Sequence, residues 1–130
     1  MEVITDTSSI VAVILNEPTK PALLKLTQGA DFVAPSSVHW EIGNALSAMF
    51  KRKRITLEEA KTALENYRQI PITFVEIQLE SAVKIAEQLN IYAYDAYLLS
   101  CALQRNAPLI SLDKALIQSA KRLNITVLEV

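Results

Sequence analysis

Short apolar runs alternate along the chain with segments in which apolar residues recur every three or four positions. The short runs are typical of buried strands, and the periodic segments are typical of helices that pack on one face. The runs predict five strands, at residues 3–5, 32–34, 73–75, 108–111 and 126–128. Because helical segments separate the strands, we predict an α/β fold with a parallel sheet covered by helices on both faces.

Helices are predicted between the strands from this periodicity and from the residues that start and stop helices. They fall at residues 10–15, 22–28, 36 or 37 to about 53, 56–68, 79–89, 95–104 and 113–123. Ser36 or Ser37 can cap the third helix, and Thr56 to Glu59 form a capping box for the fourth. No linker, repeat or low-complexity tract interrupts the pattern, so we predict one domain over residues 1–130.

Composition narrows the class of protein. Hydrophobic residues make up 51% of the chain and charged residues 21%, which is typical of a globular domain. The only two glycines are Gly29 and Gly43, so the chain has no glycine-rich loop for a dinucleotide or a P-loop nucleotide. Without a basic leader or a membrane-spanning run, we expect a cytoplasmic protein with no membrane partner.

Two acidic residues directly follow predicted strands. Asp6 follows the first strand, and Asp113 follows the fourth, two residues after Ser111. Ligands of open α/β sheets bind outside the carboxyl ends of the strands, so both acids are candidates for a site there. They can meet only if the first and fourth strands are neighbours, or nearly so.

Two further acids lie on predicted helices. Asp95 opens the helix before the fourth strand, and Glu41 lies one turn into the third helix, at the margin of its apolar face. Asn44 lies on the same flank as Glu41. An unpaired charge at the edge of a buried face is costly, so the position of Glu41 needs an explanation.

Each acid also has an ordinary structural interpretation. The three aspartates can be helix N-caps, and Glu41 can be a surface residue. The cap and the site are compatible, because a capping aspartate can keep one oxygen free. Several carboxylates on one side of a sheet repel each other unless a cation lies between them. Oxygen ligands favour Mg²⁺ or Mn²⁺, which can activate water for attack on a phosphodiester.

Four segments together resemble the motifs of PIN domains, and most closely those of VapC toxins from toxin–antitoxin pairs. The segments are residues 4–12 (ITDTSSIVA), 41–46 (EIGNAL), 94–97 (YDAY) and 111–116 (SLDKAL). The resemblance implies a three-layer α/β/α sandwich with a central, mostly parallel sheet. It also implies a Mg²⁺- or Mn²⁺-dependent endoribonuclease that cleaves single-stranded RNA, forms a homodimer and is inhibited by a VapB-like antitoxin.

The resemblance also assigns roles to individual residues. The catalytic and metal-binding positions are Asp6, Glu41, Asp95 and Asp113. The supporting positions are Ser8, Ser111 and Asn44, with Thr7 as the weaker alternative to Ser8.

One dense basic cluster and one tryptophan lie outside these motifs. The cluster Lys51, Arg52, Lys53 and Arg54 can be a solvated helix end, an RNA-backbone contact, or both. The net charge of −1 argues against a simple electrostatic binder of nucleic acid, but bound metal would neutralise the acids. We expect Trp40 in the core or in a dimer interface.

Two rival functions remain open at this stage. An aspartyl-phosphate phosphatase could use Asp6 as its nucleophile, although that chemistry favours a second aspartate where Ser8 stands. A PIN-like module could act only in protein interaction, although its acids are intact.

Overall fold

The computed structural model describes residues 1–130 and contains one five-stranded sheet and seven helices. The strands are β1 (Glu2–Thr5), β2 (Asp31–Pro35), β3 (Ile72–Val75), β4 (Leu109–Ile110) and β5 (Val127–Leu128). The helices are α1 (Thr7–Ile14), α2 (Lys20–Leu26), α3 (Ser37–Lys51), α4 (Leu57–Arg68), α5 (Leu79–Leu89), α6 (Ala93–Arg105) and α7 (Lys114–Arg122). The predicted α/β class and all five predicted strands are confirmed.

The sheet is parallel throughout, with the strand order β3-β2-β1-β4-β5. Strand β1 is central, and its Ile4 pairs with Val33 of β2 on one side and Leu109 of β4 on the other. The first and fourth strands are therefore neighbours, as a shared site for the acids that follow them requires. The carboxyl ends of β1, β2 and β4 lie side by side at one edge.

Core residues lie on both faces of the sheet. Val3 and Ile4 are both fully buried, but they point to opposite faces and belong to separate apolar clusters. The larger cluster includes Ile4 and contributions from α1, α3, α4, α5, α6 and α7. The smaller one joins Val3 and Ile110 to Ala12 of α1 and Leu23 of α2. No helix has the length and apolarity needed to cross a lipid bilayer.

Helix starts differ from the sequence predictions at two places. Helix α6 begins at Ala93 with Tyr92 as its N-cap, so the prediction that Asp95 opens this helix is wrong, and Asp95 is not a cap. At α3 neither serine caps the helix with its side chain. The Ser36 hydroxyl donates to Glu76 Oε1 at 2.9 Å, and the Ser37 hydroxyl has no hydrogen-bond partner. The capping box at Thr56 and Glu59 is confirmed by reciprocal hydrogen bonds of 3.0 and 3.1 Å.

The end of α3 also lies earlier than predicted. The last helical residue is Lys51, and Arg52 is the C-cap. Lys53 then adopts a left-handed backbone with φ of 56°, which a helix cannot continue through. The basic cluster therefore straddles the helix end and the turn that follows it.

Candidate active site

The carboxyl edge of the sheet opens into a cleft of about 470 Å³. All four predicted acids line it: Asp6, Glu41, Asp95 and Asp113. They come from four different elements, since Asp6 precedes α1, Glu41 lies on α3, Asp95 lies on α6 and Asp113 precedes α7. Strand ends and helix starts thus bring together carboxylates that are far apart in sequence.

Asp6 is the most buried of the four, with 4% of its surface exposed. Its carboxylate caps α1 by accepting the Ser9 backbone N–H at 3.0 Å. Three hydroxyls also donate to it: Ser8 at 2.9 and 2.8 Å, Ser9 at 2.8 Å and Ser111 at 2.6 Å. This dense set of donors fixes the orientation of the carboxylate.

The loop after β4 is held to Asp6 by the same hydroxyls. Ser111 Oγ donates to Asp6 Oδ2 and accepts the Asp113 backbone N–H at 2.9 Å. Ser8 Oγ accepts the Leu112 backbone N–H at 2.9 Å. Asp113 then caps α7 by accepting the N–H groups of Ala115 and Leu116. Asp6 and Asp113 are therefore caps and cleft residues at once.

Glu41 occupies an electrostatically unfavourable position. Burial, followed by the charges of Asp95 and Asp6, raises the pKa of Glu41 from 4.5 to about 7. The Thr7 and Ser37 hydroxyls lie close enough to oppose this rise in pKa, but neither completes a hydrogen bond to it. Glu41 Oε2, Thr7 Oγ1 and Ser37 Oγ are all buried without a partner.

Asp95 is half-buried in the first turn of α6. Burial raises its pKa above the usual value, and the charges of Asp113 and Asp6 add to this effect. None of the four acids forms an ion pair, because the ion pairs of the protein all involve other carboxylates. The cleft therefore holds a group of mutually repelling, uncompensated carboxylates.

The predicted supporting residues divide into two groups. Ser8 and Ser111 contact Asp6 directly, and their hydroxyl oxygens lie 3.4 Å apart. Asn44 is exposed on α3 and does not line the cleft. Thr7, the weaker alternative to Ser8, lines the cleft as well. The contacts of Ser9 and Ser37 with the acids were missed from the sequence, and only the hydroxyl chemistry of the run Thr7-Ser8-Ser9 beside Asp6 could have indicated Ser9.

The basic cluster of residues 51–54 also divides into residues that line the cleft and residues that do not. Arg52 and Arg54 line the cleft, whereas Lys51 and Lys53 do not. All four side chains are exposed. Glu17, from the connection between α1 and α2, also lines the cleft and was not singled out from the sequence.

Trp40 is 77% exposed, so the expectation of a core position is wrong, and an interface position stays a prediction. It lies on α3 next to Glu41 and meets the edge of His39, with ring centroids 4.9 Å apart. His39 also contacts Phe74 of β3 and hydrogen-bonds Tyr67 through Nδ1 at 2.9 Å. Trp40, His39 and Phe74 form an exposed aromatic patch beside the edge strand, whereas Tyr67 is buried.

Carboxylate oxygens of this cleft could serve as ligands of a hard divalent cation. No three Asp, Glu, His or Cys side chains are grouped closely enough to form a ready-made metal site. The donor set nevertheless fits Mg²⁺ or Mn²⁺, because it consists of oxygen atoms, carries uncompensated negative charge and includes the unpartnered Glu41 Oε2.

Comparisons with known proteins identify the family and the fold. The sequence model of the PIN domain matches residues 3–122. No curated protein matches the sequence significantly. Among solved structures, the fold is similar to PAE2754 from Pyrobaculum aerophilum, with 19% identity and a TM-score of 0.74 over 98% of this chain and 84% of that chain.

A second similar structure is VapBC2 from Rickettsia felis, bound to a DNA fragment from its promoter. The identity is 18% and the TM-score is 0.67, over 98% of this chain and 97% of that chain. At these identities, both similarities concern the fold alone.

Proposed function

We propose a function from the premise that this chain belongs to the PIN domain family, whose members are typically nucleases. The proposal is that residues 1–130 act as a single metal-dependent endoribonuclease domain that cleaves single-stranded RNA. One observation carries it: the cleft gathers Asp6, Glu41, Asp95 and Asp113 without pairing any of them with a cationic side chain.

The four carboxylates would hold Mg²⁺ or Mn²⁺. When bound, the cation supplies an activated water and stabilises negative charge on the phosphodiester. Ser8 and Ser111 orient the Asp6 carboxylate through their hydroxyl hydrogen bonds. Asn44, exposed three residues beyond Glu41, is proposed to support the site by contacting the bound RNA strand.

The rim of the cleft is proposed to bind the RNA backbone. Arg52 and Arg54 line the same cleft as the acids, and guanidinium groups bind phosphate oxygens in a bidentate manner. Lys51 and Lys53 do not line the cleft and are proposed to contribute only general positive charge. This arrangement lets a chain with a net charge of −1 attract a polyanion locally.

We further propose that the protein is the toxin of a toxin–antitoxin pair, with a VapB-like antitoxin as its partner. The fold similarity to a chain of the VapBC2 complex supports this assignment. A homodimer is part of the same proposal, and the exposed aromatic patch around Trp40 and Phe74 is the surface we assign to it.

The sequence that follows Asp6 does not favour the rival phosphatase. That chemistry favours a second aspartate two residues after the nucleophile. The residue two positions on is Ser8 and not a second aspartate.

Cleavage assays test the nuclease assignment. Single-stranded RNA is incubated with the wild type, Asp6→Asn and Asp95→Asn, in Mg²⁺, Mn²⁺ or chelator. Asp31→Asn is the matched control, because Asp31 is exposed at the start of β2 and pairs only with the N-terminus. We expect metal-dependent cleavage that both cleft variants lose by at least about 100-fold and the control retains. Cleavage in chelator, or full activity in both cleft variants, would rule out the mechanism.

Expression in a bacterial host tests the toxin assignment separately. We expect growth arrest on induction of the wild type, no arrest with Asp95→Asn, and rescue by co-expression of a small reading frame adjacent to this gene. A nuclease that is active in vitro but leaves growth unchanged contradicts the toxin role and leaves the nuclease role intact.

A further inference from the structure

A chain of two buried hydroxyls leads from the sheet to Asp6. Thr5, Ser9 and Asp6 are each 4% exposed. Thr5 Oγ1 lies 2.8 Å from Ser9 Oγ, which in turn lies 2.8 Å from Asp6 Oδ1. Neither hydroxyl faces the cleft, since Thr5 and Ser9 line a separate apolar cavity of about 80 Å³ between the sheet and α2.

The direction of the hydrogen bonds follows from counting protons. Ser9 Oγ has one proton and two acceptors within reach, Asp6 Oδ1 at 2.8 Å and the Asp6 backbone carbonyl at 3.0 Å. The anionic carboxylate oxygen is the nearer and stronger acceptor, so the Ser9 hydroxyl donates to it. The Thr5 hydroxyl must then donate to Ser9 Oγ. Hydrogen bonds in such a chain polarise one another, so the donor at the far end strengthens the bond at the carboxylate.

We propose that Thr5 is a positioning residue for Asp6, acting through the Ser9 hydroxyl as a two-step hydrogen-bond relay. The relay and the Ser9 backbone N–H anchor Oδ1 to α1. Ser8 and Ser111 hold Oδ2 toward the loop after β4. Groups that orient a ligand carboxylate in this way tune its affinity for a metal. The inference rests on the proposed function, because it assumes that Asp6 binds the cation.

The chain offers a matched control for Thr5. Thr27 is also a buried threonine that lines the same cavity, but its hydroxyl donates to Leu23 O at 2.7 Å and has no link to Asp6. Replacing either threonine by valine keeps the shape and removes one hydroxyl. A difference between the two variants therefore reports the relay and not the loss of packing.

The experiment measures Mn²⁺ affinity by electron paramagnetic resonance, without RNA. We expect Thr5→Val and Ser9→Ala each to weaken Mn²⁺ binding by roughly tenfold, and the double variant to bind no more weakly than Ser9→Ala. Thr5→Ser should restore the affinity, and Thr27→Val should leave it unchanged. If Ser9→Ala fails to fold, the comparison of the valine and serine variants at Thr5 still decides the question.

Two results would overturn the inference in distinguishable ways. Mn²⁺ binding that Asp6→Asn abolishes but Thr5→Val leaves at the wild-type level refutes the relay alone. If the wild type does not bind Mn²⁺, or binds it no more tightly than Asp6→Asn does, the proposed function is refuted and the relay with it.

Discussion

Glu41 is the residue whose charge the fold disfavours most clearly. Burial and two neighbouring acids raise its pKa to about 7, and its Oε2 has no hydrogen-bond partner. An ionised carboxylate in this position destabilises the metal-free protein, because ionising Glu41 costs more free energy in the folded protein than in the unfolded chain. Strain of this kind is expected at a position selected for function and not for stability.

The pH dependence of stability follows from this shift. With a pKa of 4.5 when unfolded and about 7 when folded, Glu41 destabilises the fold progressively as pH rises through this range. Glu41→Gln should therefore increase the free energy of unfolding, measured by urea denaturation in chelator, by more at pH 8 than at pH 5. Glu65→Gln, at an exposed site of α4, is the control and should show no such difference. An equal gain for Glu41→Gln at both pH values contradicts the assignment.

Among the individual residues of the candidate site, the carboxylates were easier to predict from the sequence than the hydroxyls. Asp6 and Asp113 follow from the rule that sites lie at strand ends, and Glu41 follows from its position beside an apolar helix face. Asp95 was identified through the family resemblance. Thr5 and Ser9 could not be found, because a threonine in a strand and a serine at a helix start have ordinary structural explanations.

Helix ends in this protein rely on asparagine. Left-handed backbone occurs at Asn16, Asn90, Asn106 and Asn124, with φ between 48° and 58°. Each follows a helix, and Asn90 and Asn106 are the C-caps of α5 and α6. With only two glycines available, asparagine supplies the conformation that glycine most often provides.

Substitutions at Asn106 test this role. Alanine adopts the left-handed region less readily than asparagine, because its Cβ lies too close to the following carbonyl oxygen, so Asn106→Ala should lower the free energy of unfolding by about 1 kcal/mol. Asn106→Gly should not lower it, because glycine adopts this conformation without strain. Thermal denaturation measures both, with Gln104→Ala, at an exposed site on the same helix, as the control. Equal losses for alanine and glycine would contradict the explanation.

The type of each helix and strand was predictable from the sequence, but several of their ends were not. The apolar pattern predicts all five strands, because a buried strand needs consecutive apolar residues. It places the end of α3 at about residue 53, although the helix ends at Lys51, because a run of four cations has no apolar period that marks a boundary. The sequence also suggests that α6 starts at Asp95, because aspartate is a good N-cap. In the structure Tyr92 is the N-cap, without a side-chain hydrogen bond.

On the whole molecule, the cleft carries both acidic and basic side chains, which the net charge of −1 does not reveal. Acids occupy the inside of the cleft, and Arg52 and Arg54 lie at its rim. Their neighbours Lys51 and Lys53 are equally exposed but do not line the cleft. If RNA binds along the cleft, the two arginines and the two lysines should contribute unequally.

Salt dependence of RNA binding measures this inequality. In an Asp95→Asn background, which prevents cleavage, Arg52→Gln and Arg54→Gln should each reduce the slope of log affinity against log salt by about 1. Lys53→Gln is the matched control and should change the slope by less. Equal effects at all three positions would show that the cluster acts as a diffuse charge.

The strand order was only partly accessible from sequence. Asp6 and Asp113 can share a site only if the first and fourth strands are neighbours, or nearly so. This requirement is met, because β1 pairs with β4. The positions of β3 and β5 at the two edges depend on tertiary packing, which no local pattern encodes.

The single tryptophan gives the protein an intrinsic optical probe. Trp40 is 77% exposed, lies next to Glu41 and is in edge contact with His39. Its emission should resemble that of a solvated indole. Burial by a second subunit would shift the emission to shorter wavelength. A label-free fluorescence measurement over a range of protein concentrations can therefore follow self-association.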